Sequence, residues 1–335
     1  MSAAPGAVCG IHGLRSAELG VGDLRRSVEF YGEMWGLQVV ASGEGAVYMR
    51  AAGPEHHVLV LREQSHPALL GAHFAAANRE AVDRLHAGLK AGGTAHTAPV
   101  QLPAFAGGGY GLRVSTPDGL AVTVSADVAR HALLDDLSRP LSLTHVVLNS
   151  TDVAAQLAFF RGQLGFRVSD TTAAIVFMRC GIDHHSLALA HGKHASLNHL
   201  AFEMTDFDAL MRGGGRLTGA GSVLEWGVGR HGPGNNIFAY FLDPDGFAVE
   251  YTTGMQHVDE ATYVAQTADY WANFPMRPCR WGMARKPSEA MIRAFSGELR
   301  TEPQGEFRAG PQGEFKTGPQ GESGRQAAKR GAAAG

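Results

Sequence analysis

The chain has 335 residues, of which 44% are hydrophobic and 18% charged, which is typical of a globular protein with room for two domains. Its formal net charge of −3 gives no electrostatic footprint for nucleic acid or an acidic membrane surface, so partners of those kinds are not expected. The first residues lack the basic and apolar regions of a signal peptide, and no apolar run approaches the roughly 18 residues of a membrane span, so we expect a cytoplasmic protein.

An amphipathic helix is predicted near the start of the chain and again 129 residues later. The stretch VGDLRRSVEFYGEMWGLQVV, from residue 21, aligns with STDVAAQLAFFRGQLGFRVS, from residue 150. The apolar positions match in an i, i+4, i+7, i+11 pattern, which is one face of a helix. These positions are Leu24, Val28, Tyr31 and Trp35 in the first copy, and Val153, Leu157, Phe160 and Leu164 in the second. Each helix is expected to stop at a glycine, Gly36 or Gly165, before a strand.

Two further pairs of segments extend the repeat. AHFAAANREAVDRL, from residue 72, matches NHLAFEMTDFDALM, from residue 198, and TPDGLAVTV, from residue 116, matches DPDGFAVEY, from residue 243. The offsets of 126 and 127 residues indicate that one half of the protein duplicates the other. We therefore predict an α+β fold with four βαβββ modules paired into two domains, residues 10–130 and 140–255. Helices would lie outside and concave sheets inside.

The end of the chain differs from this repeat. Residues 256–298 contain Tyr270, Trp271, Phe274 and Trp281, and they are predicted to form an arm packed on the domain or at a subunit interface. Residues 299–335 include three copies of Pro-Gln-Gly-Glu and are predicted to be a disordered low-complexity tail, because such a segment cannot bury enough apolar surface to fold.

The positions at which the two halves disagree suggest a metal site. The second half has His145, His199 and Glu250 where the first half has Ser16, His73 and Thr123. Strand alternation places all three side chains of the second half on the sheet face away from the helices. Two imidazoles and one carboxylate on one face describe the facial triad of non-haem Fe(II) sites. Each histidine alone could also be a hydrogen-bonded core or surface residue.

The motifs THVVL, NHLAFEM and GRHGPGNNIFAYFLDPDGFAVEYTTGM resemble those of the type I extradiol ring-cleavage dioxygenases of the vicinal oxygen chelate superfamily. The resemblance covers residues 10–285 and is most specific over 140–255. It implies that His145, His199 and Glu250 bind Fe(II), with Mn(II) as the alternative, and that the N-terminal domain has lost its metal. It also implies a homo-oligomer.

The resemblance further implies three catalytic residues beside the metal. His185 would be the acid/base, although strand parity alone favours its neighbour His184 for the cavity. His231 and Tyr240 would donate hydrogen bonds to the substrate and to developing negative charge. For His231, the sequence GRHGPGNN is equally compatible with an exposed surface loop.

The expected activity is extradiol cleavage of a catechol-type diol by O2, giving a muconic-semialdehyde-type product in aromatic catabolism. The alternatives are another metalloenzyme of the same fold, such as a glyoxalase or thiol transferase, and a metal-free small-molecule-binding resistance protein. His73 is interpreted as a relic of a lost first site. Five further histidines lie in polar or glycine-rich turns and are expected to face water: His56, His57, His191, His194 and His257.

Overall fold

The computed structural model describes residues 10–136, 138–275 and 279–299. The first half folds, in chain order, as β1 (Ile11–Val21), α1 (Leu24–Glu29), β2 (Gln38–Gly43), β3 (Ala46–Arg50), β4 (Leu59–Glu63), β5 (Ala68–Ala76), α2 (Arg79–Ala91), β6 (Val100–Gln101), β7 (Tyr110–Ser115) and β8 (Ala121–Ala126). Its strands form one sheet in the order β2-β3-β4-β1-β5-β8-β7-β6.

The second half repeats this arrangement. It folds as β9 (Ser142–Ser150), α3 (Val153–Gly162), β10 (Arg167–Thr171), β11 (Ile175–Arg179), β12 (Leu187–His191), β13 (Ser196–Glu203), α4 (Phe207–Gly219), β14 (Trp226–Arg230), β15 (Ile237–Leu242) and β16 (Ala248–Thr253). The strand order is β10-β11-β12-β9-β13-β16-β15-β14, the same as in the first sheet. The predicted α+β fold of four βαβββ modules is therefore confirmed.

The four module helices begin in the same way. Each starts after an acidic or amide side chain that accepts a hydrogen bond from the backbone N–H three residues later. These N-caps are Asp23, Asn78, Asp152 and Asp206. The chain reverses after the first and third helices at Gly36 and Gly165, whose φ angles of 97° and 72° favour glycine.

One helix departs from the regular pattern that the sequence predicted. After Glu29 the chain continues as a turn of π-helix over Phe30–Met34, and the Trp35 N–H bonds the Phe30 carbonyl at 2.8 Å. Tyr31 and Trp35 are nevertheless fully buried, as the predicted apolar stripe requires.

Alternate residues of the second sheet face two different environments. The main core includes Val146 of β9, Leu200 and Phe202 of β13, and Val249 and Tyr251 of β16. On the other face, Val147 of β9 belongs to a separate small cluster with Ala188, Ala190, Ile175 and Phe177. This separation agrees with the strand alternation expected from the sequence.

Trp35 connects the two halves. Its ring stacks on that of Tyr251 with a centroid distance of 3.9 Å and contacts Phe202 edge-on at 5.5 Å. Its carbonyl accepts hydrogen bonds from the Tyr251 hydroxyl at 2.5 Å and from Arg216 Nη2 at 3.2 Å. A tryptophan of the first module thus completes the core of the second half.

After the last strand, the chain adds two short helices, α5 (Ala268–Ala272) and α6 (Glu289–Phe295). Met291 and Ala294 of α6 are buried in a cluster with Phe238, Tyr240 and Leu242 of β15 and Ala248 of β16. Helix α6 therefore covers part of the concave face of the second sheet. The predicted tail, apart from Leu299, lies outside the described residues. Within the described ranges, the helices are too short or too polar to cross a membrane.

Candidate metal centre

Three adjacent strands bring His145, His199 and Glu250 together. β9 and β16 flank β13, and both His145 and Glu250 are in register with Ala201 of that central strand. The two histidine Nε2 atoms are 3.4 Å apart, and each lies 3.3 Å from Glu250 Oε2. All three residues are buried. Among the described residues, this is the group whose His, Cys, Asp or Glu ligand atoms meet closely enough to hold a metal ion.

The geometry of this triangle suits a small divalent cation. A triangle with these sides has corners about 1.9 Å from its centre, so an ion with bonds of about 2.0–2.2 Å to nitrogen and oxygen would lie just off its plane. Glu250 Oε2 is buried without a hydrogen-bond partner among the described residues. A buried carboxylate oxygen without a partner is costly, and a shared cation would satisfy it.

The electrostatics of the triad favour an ionised carboxylate. Burial alone would raise the pKa of Glu250, but the adjacent His145 and His199 imidazoles outweigh burial and hold that pKa well below its usual range. Burial lowers the pKa of His199, and Glu250 opposes that effect. A neutral imidazole and an ionised carboxylate are the forms that ligate metals.

His231 and Tyr240 lie beside the triad. Tyr240 on β15 is in register with Glu250 on β16, and its ring is 5.2 Å from that of His199. His231 Nε2 is 3.1 Å from the Tyr240 hydroxyl and 3.9 Å from Glu250 Oε1. The His231 ring stacks on Phe238 at 4.0 Å, and its side chain is only 20% exposed, so the surface-loop alternative is not what the structure shows.

His185 lies against the triad, whereas His184 points elsewhere. The His185 ring is 4.4 Å from that of His145, and its Nδ1 is 3.0 Å from His184 Nδ1. His184 Nε2 lies 3.1 Å from Asp170 Oδ2. Strand parity does not decide between the two histidines because β12 begins only at Leu187.

A glycine in the GRHGPGNN loop makes room for His185. A Cβ on Gly234 would lie 2.9 Å from His185 Cε1, and the φ of Gly234 is +76°. Both the close approach and the left-handed backbone favour glycine here.

Two asparagines contact the triad. Asn198 Oδ1 is 2.8 Å from His199 Nδ1. Asn236, which is fully buried, donates from Nδ2 to Glu250 Oε1 at 3.3 Å and to Thr252 Oγ1 at 2.8 Å. In the sequence, only the position of Asn198 next to His199 in NHLAFEM could have indicated this contact. Strand alternation, however, predicts that the side chains of adjacent residues point to opposite faces.

The first half presents a different polar cluster at the equivalent place. His73 Nε2 bonds Ser125 Oγ at 2.6 Å. His56 and His57, which were expected to face water, are 8% and 3% exposed, so that prediction was wrong. They lie 128 residues before His184 and His185, and the same Nδ1 to Nδ1 contact recurs between them at 3.1 Å. The two histidines are therefore a fourth repeated feature, and the pair is buried in both halves.

Comparisons with known proteins agree with the repeated fold. The chain is 34% identical over 122 residues to metapyrocatechase 2 of Cupriavidus necator, an alignment that covers 36% of this chain and 38% of that protein. It is 31% identical over 126 residues to 3-methylcatechol 2,3-dioxygenase of Pseudomonas putida, covering 35% of this chain and 43% of that protein. The chain thus spans less than half the length of the first curated relatives that it matches.

A solved structure matches over a longer range. The Mn(II)-bound glyoxalase from Novosphingobium aromaticivorans is 36% identical, with a TM-score of 0.76, and the match covers 84% of this chain and 93% of that one. The family model described as Glyoxalase/Bleomycin resistance protein/Dioxygenase superfamily matches residues 13–124 and 142–251, about one repeat each. Because these matches cover most of both halves, the chain belongs to the Glyoxalase/Bleomycin resistance protein/Dioxygenase superfamily.

Proposed function

We propose that this protein is an Fe(II)-dependent extradiol dioxygenase, which opens a catechol-type ring beside its vicinal diol. Both atoms of O2 would enter the muconic-semialdehyde-type product. The observation that carries the proposal is the meeting of His145, His199 and Glu250 on one sheet face, with three further polar side chains beside them. The names of the dioxygenase relatives support the same reaction class.

We propose that the triad residues are the metal ligands. Bound there, a divalent metal would supply open coordination positions for the two hydroxyls of a catechol and for O2. Imidazole and carboxylate ligands accept both Fe(II) and Mn(II), so the ligand types alone do not choose between them. Metal analysis of the purified protein, together with activity after loading each metal, decides which one the protein uses.

His185 is the proposed acid/base. Burial and the surrounding imidazoles, His145 first among them, hold the pKa of His185 well below its ordinary value, so the ring is neutral near pH 7. Its Nδ1 faces His184 Nδ1, which leaves Nε2 as the nitrogen that would accept a proton from a substrate hydroxyl and later return it.

Tyr240 and His231 are the proposed hydrogen-bonding residues of the substrate pocket. Burial and the nearby Glu250 carboxylate raise the pKa of Tyr240 well above its ordinary value, so its O–H remains available as a donor. Burial lowers the pKa of His231 to about 4, so this ring also stays neutral. A protonated phenol and a neutral imidazole can orient a substrate without adding net charge to the pocket.

Aromatic side chains next to these residues suit an arene. Trp226 stacks on Tyr240 with a centroid distance of 5.1 Å, and Phe295 contacts Tyr240 at 5.3 Å. On the other side, Phe177 lies 5.0 Å from His185. Aromatic side chains around a few convergent polar groups are typical of small-molecule sites.

Oxygen uptake across a panel of catechols tests the proposal. The protein is loaded with Fe(II) under anaerobic conditions and then mixed with aerated monocyclic, biphenyl-type or trihydroxylated substrates. We expect O2 consumption with at least one substrate, together with a yellow ring-opened product. A metal-loaded protein that consumes no O2 with any member of the panel would contradict the proposal.

A glyoxalase-type activity is the second candidate, and the 36% identity to the Mn(II)-bound glyoxalase favours it. Such an enzyme isomerises a thiol adduct of an α-oxoaldehyde and needs no O2. The same metal-loaded protein is therefore assayed with the glutathione adduct of methylglyoxal under anaerobic conditions. Turnover there, with no ring cleavage in the catechol panel, would assign the glyoxalase function instead.

A further inference from the structure

We propose that Asn198 is a positioning residue that fixes the tautomer of His199, and that the carbonyl of Phe295 in helix α6 holds Asn198 in place. The inference rests on the proposed metal role of His199. It assigns a function to the C-terminal helix, which would act on the metal site from outside the repeated domains.

The hydrogen bonds of Asn198 determine the orientation of its amide. Its Nδ2 donates to the Phe295 carbonyl at 2.8 Å and to Asn149 Oδ1 at 3.1 Å. Because a backbone carbonyl can only accept, the amide cannot be reversed without losing the Phe295 bond. Asn198 Oδ1 therefore faces His199 Nδ1, at 2.8 Å.

The orientation of Asn198 sets the proton on His199. An amide oxygen accepts, so His199 Nδ1 must carry the hydrogen, and in the neutral ring Nε2 then carries the lone pair. Nε2 is the atom directed at the triad, 3.3 Å from Glu250 Oε2. In contrast, Nδ1 of His145 is buried without a partner among the described residues. His199 is thus the histidine of the triad whose tautomer is fixed by a side chain.

A local irregularity of β13 permits this contact between sequence neighbours. The register of β13 against β9 shifts between Leu197 and His199, which places Asn198 in a β-bulge. In a regular strand, the side chains of residues 198 and 199 would point to opposite faces. The bulge turns the Asn198 amide back towards the His199 ring.

The first half of the chain lacks every part of this arrangement. At the repeat offsets, Ala72 takes the place of Asn198 and Gly20 that of Asn149. His73, the counterpart of His199, bonds Ser125 through Nε2, the nitrogen that faces the triad in the second half. The asparagine pair therefore occurs only in the half that has the three candidate ligands.

Asn149 supplies a matched control for the helix contact. Its Nδ2 also donates to the Phe295 carbonyl, at 2.8 Å, and it is buried, but no hydrogen bond joins it to His199. Replacing either asparagine with alanine removes a bond to α6. Asn149→Ala also removes one acceptor of Asn198 Nδ2 but leaves the Phe295 carbonyl to hold that amide, and only Asn198→Ala removes the acceptor from His199 Nδ1.

The first test is the affinity of the full-length protein for Mn(II), measured by competition with a chelator. We expect Asn198→Ala to weaken binding about 10- to 100-fold, as loss of a partner of a ligand histidine does elsewhere. Asn149→Ala should change the dissociation constant by less than about threefold, because Asn198 Oδ1 still accepts the hydrogen bond of His199 Nδ1. Asn198→Asp should restore most of the affinity, since a carboxylate oxygen also accepts from Nδ1.

The second test reads the tautomer without any metal. Side-chain ¹⁵N spectra of the metal-free protein should show His199 as the Nδ1–H form in the wild type and in Asn149→Ala, and as a mixture in Asn198→Ala. Unchanged affinity and tautomer in Asn198→Ala would overturn the inference, and so would an equal loss of affinity in Asn149→Ala. A wild-type protein that binds no divalent metal would contradict the proposed function instead, while the tautomer measurement would still decide the role of Asn198.

Discussion

Replacing Glu250 with threonine should abolish metal-dependent stabilisation while preserving the fold. The duplicate strand β8 carries Thr123 at the equivalent position, so this substitution already exists in the same structural setting. Without metal, the Glu250 carboxylate is fully buried, and its Oε2 has no hydrogen-bond partner among the described residues. Its Oε1 accepts from Asn236 Nδ2 and the two imidazoles hold its pKa low, so we expect metal-free Glu250→Thr to fold but to be less stable than the metal-free wild type by about 1–3 kcal/mol.

The size of the effect follows from linkage. A metal present at 100 times its dissociation constant stabilises the folded state by about 2.7 kcal/mol. At about 2.1 cal/mol/K of unfolding entropy per residue, a chain of 335 residues shifts its Tm by about 1.4 °C per kcal/mol, so the wild type should gain about 4 °C on metal addition. The variant keeps His145 and His199 but lacks the carboxylate, so its gain should be close to zero.

Differential scanning calorimetry with and without Mn(II) measures this difference. Glu203→Thr is the control, because Glu203 lies on β13 of the same sheet and its carboxylate accepts from Ser142 Oγ at 3.0 Å, outside the triad. The control should retain the metal-dependent rise in Tm. An equal rise in Glu250→Thr would refute the assignment of Glu250 as a ligand.

Three further predictions concern catalysis, pH and the contact between the halves. His185→Gln should lower kcat about 10²- to 10⁴-fold without loss of bound metal, as measured by steady-state kinetics and metal analysis, and wild-type turnover would exclude the acid/base role. Burial raises the pKa of Asp243 to about 7, so the stability that its protonated form contributes is full below about pH 4 and is lost as the pH rises towards 7. Urea unfolding at pH 5 and 8 should therefore show a smaller loss of stability in Asp243→Asn than in the wild type, and an equal loss would contradict this. Trp35→Ala should cost about 3–5 kcal/mol of unfolding free energy, whereas Trp281→Ala, at a site 38% exposed, should cost less than about 1 kcal/mol; similar costs would argue against Trp35 as the link between the halves.

The repeat and strand parity together predicted the fold and the meeting of three side chains. Constant offsets located the modules, and alternation along β9, β13 and β16 placed His145, His199 and Glu250 on one face. Both rules depend on regular backbone geometry, and the register shifts of β13 at Asn198 and after Ala201 leave His199 on the expected face. Their roles as metal ligands remain a prediction, which the calorimetry above tests.

The features that the sequence did not predict occur where the backbone is irregular or the contact is long-range. Strand alternation favoured His184 over His185 for the site, and this was wrong because both residues precede β12. Strand alternation also predicts that Asn198 points away from His199, whereas the β-bulge at Asn198 turns its side chain towards His199. The helical stripe predicted that Trp35 is buried, but no periodicity could show that its partner is Tyr251, 216 residues away. The contact between the Phe295 carbonyl and Asn198 likewise depends on where helix α6 packs, which the sequence pattern does not determine.

Incorporation of ¹⁸O2 tests the central claim most directly. Fe(II)-loaded protein is mixed with a catechol that supports O2 uptake, under an ¹⁸O2 atmosphere, and the product is analysed by mass spectrometry. An extradiol dioxygenase should place two ¹⁸O atoms in each molecule of ring-opened product, and Glu250→Thr should give no such product. Because an aldehyde oxygen exchanges with water, the product is reduced to the alcohol at once, and a carboxyl group without ¹⁸O, or an intact ring, would contradict the assignment.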